Sequence, residues 1–102
     1  MPVGALASPV ISSHTATSAS SVAVEYNGRR ARLYIENTSD FDNVYINWGA
    51  AAVVGQGRRI QCGGGNFEFE ITRDGQLDWA KDAVHVISDG DDAELTIEEV
   101  SR

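Results

Sequence analysis

The sequence predicts an all-β domain, a small antiparallel β-sandwich or jelly-roll-like barrel of seven to eight short strands. Three observations predict it. Apolar and polar residues alternate with period two along most of the chain, turn signals recur at intervals of about 8–12 residues, and no segment sustains a 3.6-residue pattern. A length of 102 residues fits one domain.

Residues 1–20 stand apart. They hold no Asp, Glu, Lys or Arg, both prolines of the chain (Pro2 and Pro9), and Ser, Thr or Ala at eleven positions. This composition reads as an extended N-terminal arm, with the sandwich over residues 21–102. The first strand follows, with Val22, Val24 and Tyr26 alternating with Ala23 and Glu25. Asn27-Gly28 is a two-residue turn signal. Leu33 and Ile35 then alternate with Arg32, Tyr34 and Glu36, and Asn37-Thr38-Ser39-Asp40 forms a turn cluster. Val44, Ile46 and Trp48 alternate with Tyr45 and Asn47, and Gly49 ends the run. Ala50–Val54 and Arg58–Gln61 are candidate short strands. After Gly63-Gly64-Gly65, which serves as a flexible or tightly bent connection, Phe67, Phe69 and Ile71 alternate with Glu68 and Glu70. Leu77–Trp79 fits a short strand or one helical turn. Val84 and Val86 share one face of a strand over Ala83–Ser88, and Leu95 and Ile97 mark the last strand after the acidic turn Asp89-Gly90-Asp91-Asp92.

Charge excludes some functions. The net charge is −7, the opposite of what phosphate binding requires, so nucleic acid is not expected as a partner. Residues 1–60 hold five basic and four acidic groups, whereas residues 61–102 hold three and eleven. That acidic second half reads as a solvated exterior or as a face for a basic partner. No stretch reaches the ~18–20 apolar residues that span a bilayer, and no basic residue precedes Ala5-Leu6-Ala7 as a secretory signal would require. The single Cys62 cannot build a disulfide framework.

No constellation for catalysis emerges, and the chain is expected not to be an enzyme. Of the two histidines, His14 lies in the arm and His85 in a predicted strand; Cys62 and His85 could in principle pair as nucleophile and base, and each also reads as a structural residue. Glu68 and Glu70 share one strand face, which suits solvation better than acid–base work. Asp89, Asp91 and Asp92 lack EF-hand spacing, and Gly63-Gly64-Gly65 lacks the Lys-Ser/Thr of a phosphate loop. No metal or other cofactor is expected. The basic cluster Arg29, Arg30 and Arg32 reads either as a contact for acidic groups of a neighbouring subunit or as protection of an edge strand.

The run Arg30-Ala31-Arg32-Leu33-Tyr34-Ile35-Glu36-Asn37-Thr38-Ser39 is followed by Val44-Tyr45-Ile46-Asn47-Trp48-Gly49, by Gly63-Gly64-Gly65-Asn66-Phe67-Glu68-Phe69, and by Ala93-Glu94-Leu95-Thr96-Ile97-Glu98-Glu99. In this order, over about residues 28–100, the chain resembles small β-sandwich virion accessory proteins of tailed bacteriophages, of the head decoration or cement type. The resemblance implies binding to the major capsid protein on the capsid surface of a virion assembled in the host cytoplasm. It also implies a homo-oligomer, often a trimer at a symmetry axis, and no catalytic residues. An alternative of the same fold is a head or tail fibre module that binds host glycan, which a flat exposed platform of Trp48, Trp79, Tyr34 or Tyr45 would favour.

Fixing a backbone costs about 1–2 kcal/mol per residue, so an ordered arm needs more contact area than a small sandwich has to spare. Val3, Leu6, Val10 and Ile11 are therefore expected to touch another chain by strand addition. The competing expectation is that the arm folds back on its own sheet.

Overall fold

The computed structural model describes residues 8–71 and 78–102. These residues form eight strands: β1 (Val10–Ala16), β2 (Ser21–Val24), β3 (Arg30–Asn37), β4 (Val44–Trp48), β5 (Arg58–Ile60), β6 (Asn66–Glu70), β7 (Val84–Ser88) and β8 (Ala93–Ser101). A short 3-10 turn lies at Asp78–Lys81.

Two four-stranded sheets result, in the orders β1-β8-β3-β6 and β2-β7-β4-β5. First pairs with last, second with seventh, third with sixth and fourth with fifth, all antiparallel. This is a hairpin of eight strands rolled over on itself, the jelly-roll arrangement. The predicted class holds, and the two separate sheets make it a sandwich.

The alternation seen in the sequence builds the core. Leu33 and Ile35 on β3 and Leu95 and Ile97 on β8 face Val44 and Ile46 on β4 and Val84 and Val86 on β7, all fully buried. Each such side chain stabilises the fold by about 1.5–3 kcal/mol through burial.

The predicted arm is corrected over residues 10–16. This segment is β1, held on its own sheet by seven register pairs with β8, from Val10↔Glu99 to Ala16↔Ala93. The ladder supplies the backbone hydrogen bonds and burial that offset its ordering cost, and Ala16 is fully buried. Residues 17–20 then cross to the second sheet, where the Thr17 carbonyl accepts from Ser88 N at 2.8 Å and Ser20 Oγ accepts from Ala52 N at 2.8 Å. Val3 and Leu6 lie outside the described residues.

Ala50–Val54 is a loop, not a strand. Gly49, Gly55 and Gly57 take φ of 72°, 83° and 79° and turn the chain out of the sheet. The helical-turn reading applies at Trp79, while Leu77 lies outside the described residues. Gly63-Gly64-Gly65 is tightly bent. Gly63 N donates to Ser39 O and Gly64 N to Asn37 O, while a Cβ at Gly65 would lie 2.5 Å from Gln61 O.

Candidate protein-binding edge

A sandwich of this order has four edge strands, β1, β6, β2 and β5. Edges expose unpaired backbone N–H and C=O groups, and proteins blunt them with shortness, charge or bulges. β5 has three residues and carries Arg58 and Arg59. β6 carries Glu68 and Glu70. β2 has four residues, and its register shifts between Val22 and Val24. β1 has none of these defences. Its seven residues, Val-Ile-Ser-Ser-His-Thr-Ala, include no charge and no proline, and their register with β8 is unbroken.

The two sides of β1 differ. Ser12, His14 and Ala16 lie opposite Ile97, Leu95 and Ala93 and so face the core side. Exposure falls along this row from exposed Ser12 to half-buried His14 to buried Ala16. The start of β1 therefore overhangs the second sheet, and the ring of His14 reaches that sheet where its Nε2 lies 2.8 Å from Ser21 Oγ. Ile11, Ser13 and Thr15 are on the outer side, opposite Glu98, Thr96 and Glu94. The Thr15 hydroxyl donates to the Glu94 carboxylate. Val10 and Ile11 are 64% and 70% exposed, and among the described strands they are the large apolar side chains left in solvent.

The three arginines of the predicted basic cluster do not form a patch. Arg29 is exposed, and its Nε donates to the Arg102 carbonyl at 2.6 Å. Arg32 lies on the outer face between Glu68 and Glu70, at 3.7 and 3.6 Å, with all three side chains well exposed; such pairs contribute little. Arg30 is buried. Its Nε meets Glu99 at 2.7 Å, and its terminal nitrogens donate to the carbonyls of Ala80, Asp82 and Glu25 at 2.6, 2.9 and 2.7 Å. A guanidinium spent on internal acceptors is not open to a partner, so Arg30 leaves the candidate interface. Edge protection is corrected too, since β3 lies between β8 and β6.

The outer face of the first sheet is acidic. Glu36, Glu68, Glu70 and Glu98 surround Arg32 and Tyr34 in the β3 registers with β6 and β8, and Glu94 lies on the same face opposite Thr15. Tyr34 donates to Glu36 Oε1 at 2.6 Å. That bond, followed by partial desolvation and the charges of Glu36, Glu68 and Glu98, holds the phenol above its ordinary value near 10. The neutral phenol is the favoured form, so its contribution persists below that ordinary value and fades as pH rises through the raised one. In a difference titration against Tyr34→Phe, Tyr34 should ionise above pH 10. Glu36→Gln should bring the midpoint down, and an unmoved midpoint would remove Glu36 as the cause.

Among the described residues, the candidate chemistry elsewhere does not converge. Ile60, two residues before Cys62, pairs with Val44, whereas His85 pairs with Asn47. Three residues of β4 separate those positions, about 10 Å along the strand. Asp89 accepts from Asn43 N at 3.0 Å, and Asp42 accepts from Asp91 N at 3.3 Å, so the acidic turn is tied to the loop after β3. Trp48, Phe67, Phe69 and Trp79 cluster with interplanar angles from 49° to 75°, edge to face or tilted rather than as a flat platform. Tyr34 and Tyr45 are half-buried on other faces.

Sequence reasoning named Val10 and Ile11 but missed Ser12, Ser13, His14 and Thr15 as strand residues. The usable signal was the absence of charge from a segment with β-branched residues at 10, 11 and 15. No family model matches this chain, and neither does any curated protein or solved structure.

Proposed function

We propose that this chain is a structural protein that joins protein to protein by adding a strand at β1, and that it serves as a decoration or cement protein on a phage head. The observation that carries the joining role is that, among the four edge strands the described residues form, β1 alone lacks shortness, charge or a register shift. Seven uncharged residues in unbroken register present backbone groups for pairing, and Val10 and Ile11 add apolar surface beside them. The phage head is the setting that the sequence resemblance implies, with the major capsid protein as partner. The jelly roll occurs in viral capsid domains and in lectins alike, so the fold alone favours neither setting.

The test is co-sedimentation with capsids assembled from the major capsid protein of the particle that carries this chain. The unaltered chain should pellet with the capsids. Ser13→Lys puts a charge in the middle of the edge and should cut the bound fraction about tenfold, equivalent to roughly 1.4 kcal/mol. Failure of the unaltered chain to pellet would overturn the capsid role.

A further inference from the structure

We infer that the strand added at β1 is β1 of a second copy, paired antiparallel about a two-fold axis through Ser13. This deepens the proposed joining role and rests on it. An isologous contact requires a strand to be complementary to itself. In antiparallel pairing about an axis at one residue, residue i meets 26 − i, so side chains keep to their own faces. With the axis at Ser13, all seven residues of β1 find partners. Val10 meets Ala16 of the partner subunit, Ile11 meets Thr15, Ser12 meets His14, and Ser13 meets Ser13. About six to eight backbone hydrogen bonds form, depending on which row of N–H groups faces outward.

Charge, strand length and register select this pairing over the others that copies of this chain offer. Docking β1 on β6 of another copy brings Glu68 and Glu70 to the seam, and docking on β5 brings Arg58 and Arg59 onto a three-residue strand. Docking on β2 meets four residues with a register shift. Pairing β1 with β1 puts no charge on either central strand, in a chain whose net charge of −7 disfavours most self-contacts. The acidic residues of the two β8 strands stay three strand spacings apart, about 14 Å, beyond the Debye length at physiological salt. The pairing also covers the exposed side chains of the strand. Ile11 gains a β-branched cross-strand neighbour on the outer face, and the overhanging Val10 comes to lie beside buried Ala16 of the partner subunit. A ring of three copies would need a heterologous contact between β1 and one of the defended edges, so the geometry points to a dimer rather than to the trimer that the resemblance implies.

Cross-linking tests the axis. In a Cys62→Ser background, Ser13→Cys places two thiols directly opposite one another, and mild oxidation should convert most of the chain to a covalent dimer. Ser12→Cys offsets its two thiols by two residues, so their Cα atoms stand about 8 Å apart, too far for a disulfide; it should give no dimer above background. In sedimentation equilibrium the unaltered chain should be dimeric and Ser13→Lys monomeric, with an unchanged β-sheet circular dichroism spectrum and a cooperative melt showing that the variant is folded, its Tm lower only by the lost association. The disulfide-locked dimer should still pellet with capsids, because two copies joined at β1 attach through their remaining surfaces with a bivalency that Ser13→Lys removes. A chain that stays monomeric at every concentration and gives no Ser13 disulfide overturns the two-fold pairing. In that event, loss of capsid binding in Ser13→Lys would leave the joining role standing with a foreign strand in place of the second copy. Unchanged capsid binding would overturn both.

Discussion

Replacing Arg30 with alanine is expected to cost about 3–5 kcal/mol of stability, the penalty for breaking a buried ion pair from one side. For a chain of this size that is a fall in Tm on the order of 20 °C. The side chain of Arg30 is 0% exposed, and its Glu99 partner is 22% exposed. One planar guanidinium serves four acceptors here, the Glu99 carboxylate and the carbonyls of Ala80, Asp82 and Glu25. These lie on β8, on the segment around the 3-10 turn and just after β2, so the group ties β8 of the first sheet to the end of the second sheet where Val24 pairs with Val84. Truncation leaves buried carbonyls without donors and opens a cavity. Lysine should recover less than half of the loss, because a point charge on a flexible stem cannot reproduce the fork. Urea unfolding of Arg30→Ala and Arg30→Lys measures this. A loss below about 1 kcal/mol for alanine would mean that water replaces the guanidinium at no great cost.

Asn37→Asp is expected to destabilise by about 2–4 kcal/mol at neutral pH, although shape and volume hardly change. Asn37 is fully buried. Its Nδ2 donates to the carbonyls of Asp42 and Ile60 at 2.8 and 3.0 Å, and its Oδ1 accepts from Ser39 N and Oγ at 3.1 and 2.6 Å. All four bonding directions of the amide are used, and together they close the loop between β3 and β4 over the end of the sandwich. A carboxylate in that place turns an oxygen lone pair toward two carbonyl oxygens. Burial and that repulsion raise the folded-state pKa of the new carboxyl. The variant should therefore lie nearest to the parent protein below the ordinary aspartate value near 4 and fall away as pH rises through the raised value. Unfolding midpoints of both proteins from pH 3 to pH 8 test it. A gap that does not widen with pH would show that the carboxylate finds solvent.

Seven of the eight strands were legible because their inner positions are apolar and their outer positions polar. Leu33 and Ile35, Val44 and Ile46, and Leu95 and Ile97 announce both the strand and the face. β1 was not legible in that way. Its core-side row runs Ser12, His14, Ala16, and the first half of that row is exposed or half-buried, so nothing there demands an apolar residue. With no hydrophobic alternation, composition alone suggested a free arm. Arg30 misled for a different reason. Alternation places it on the outer face with Arg32 and Tyr34, but the β3–β8 register shifts between Arg30 and Arg32. The irregularity lets Arg30 and Ala31 both be buried.

By itself the amino-acid sequence determined the class, the approximate strands and turns and the acid-rich second half, because side-chain periodicity and turn chemistry are local properties. Which strands became edges, and which of those edges was left long, regular and uncharged, was decided by the tertiary structure alone. Edge status depends on the order of strands within each sheet, and that order is set by pairing between residues as far apart as Val10 and Glu99. No local window of residues contains it.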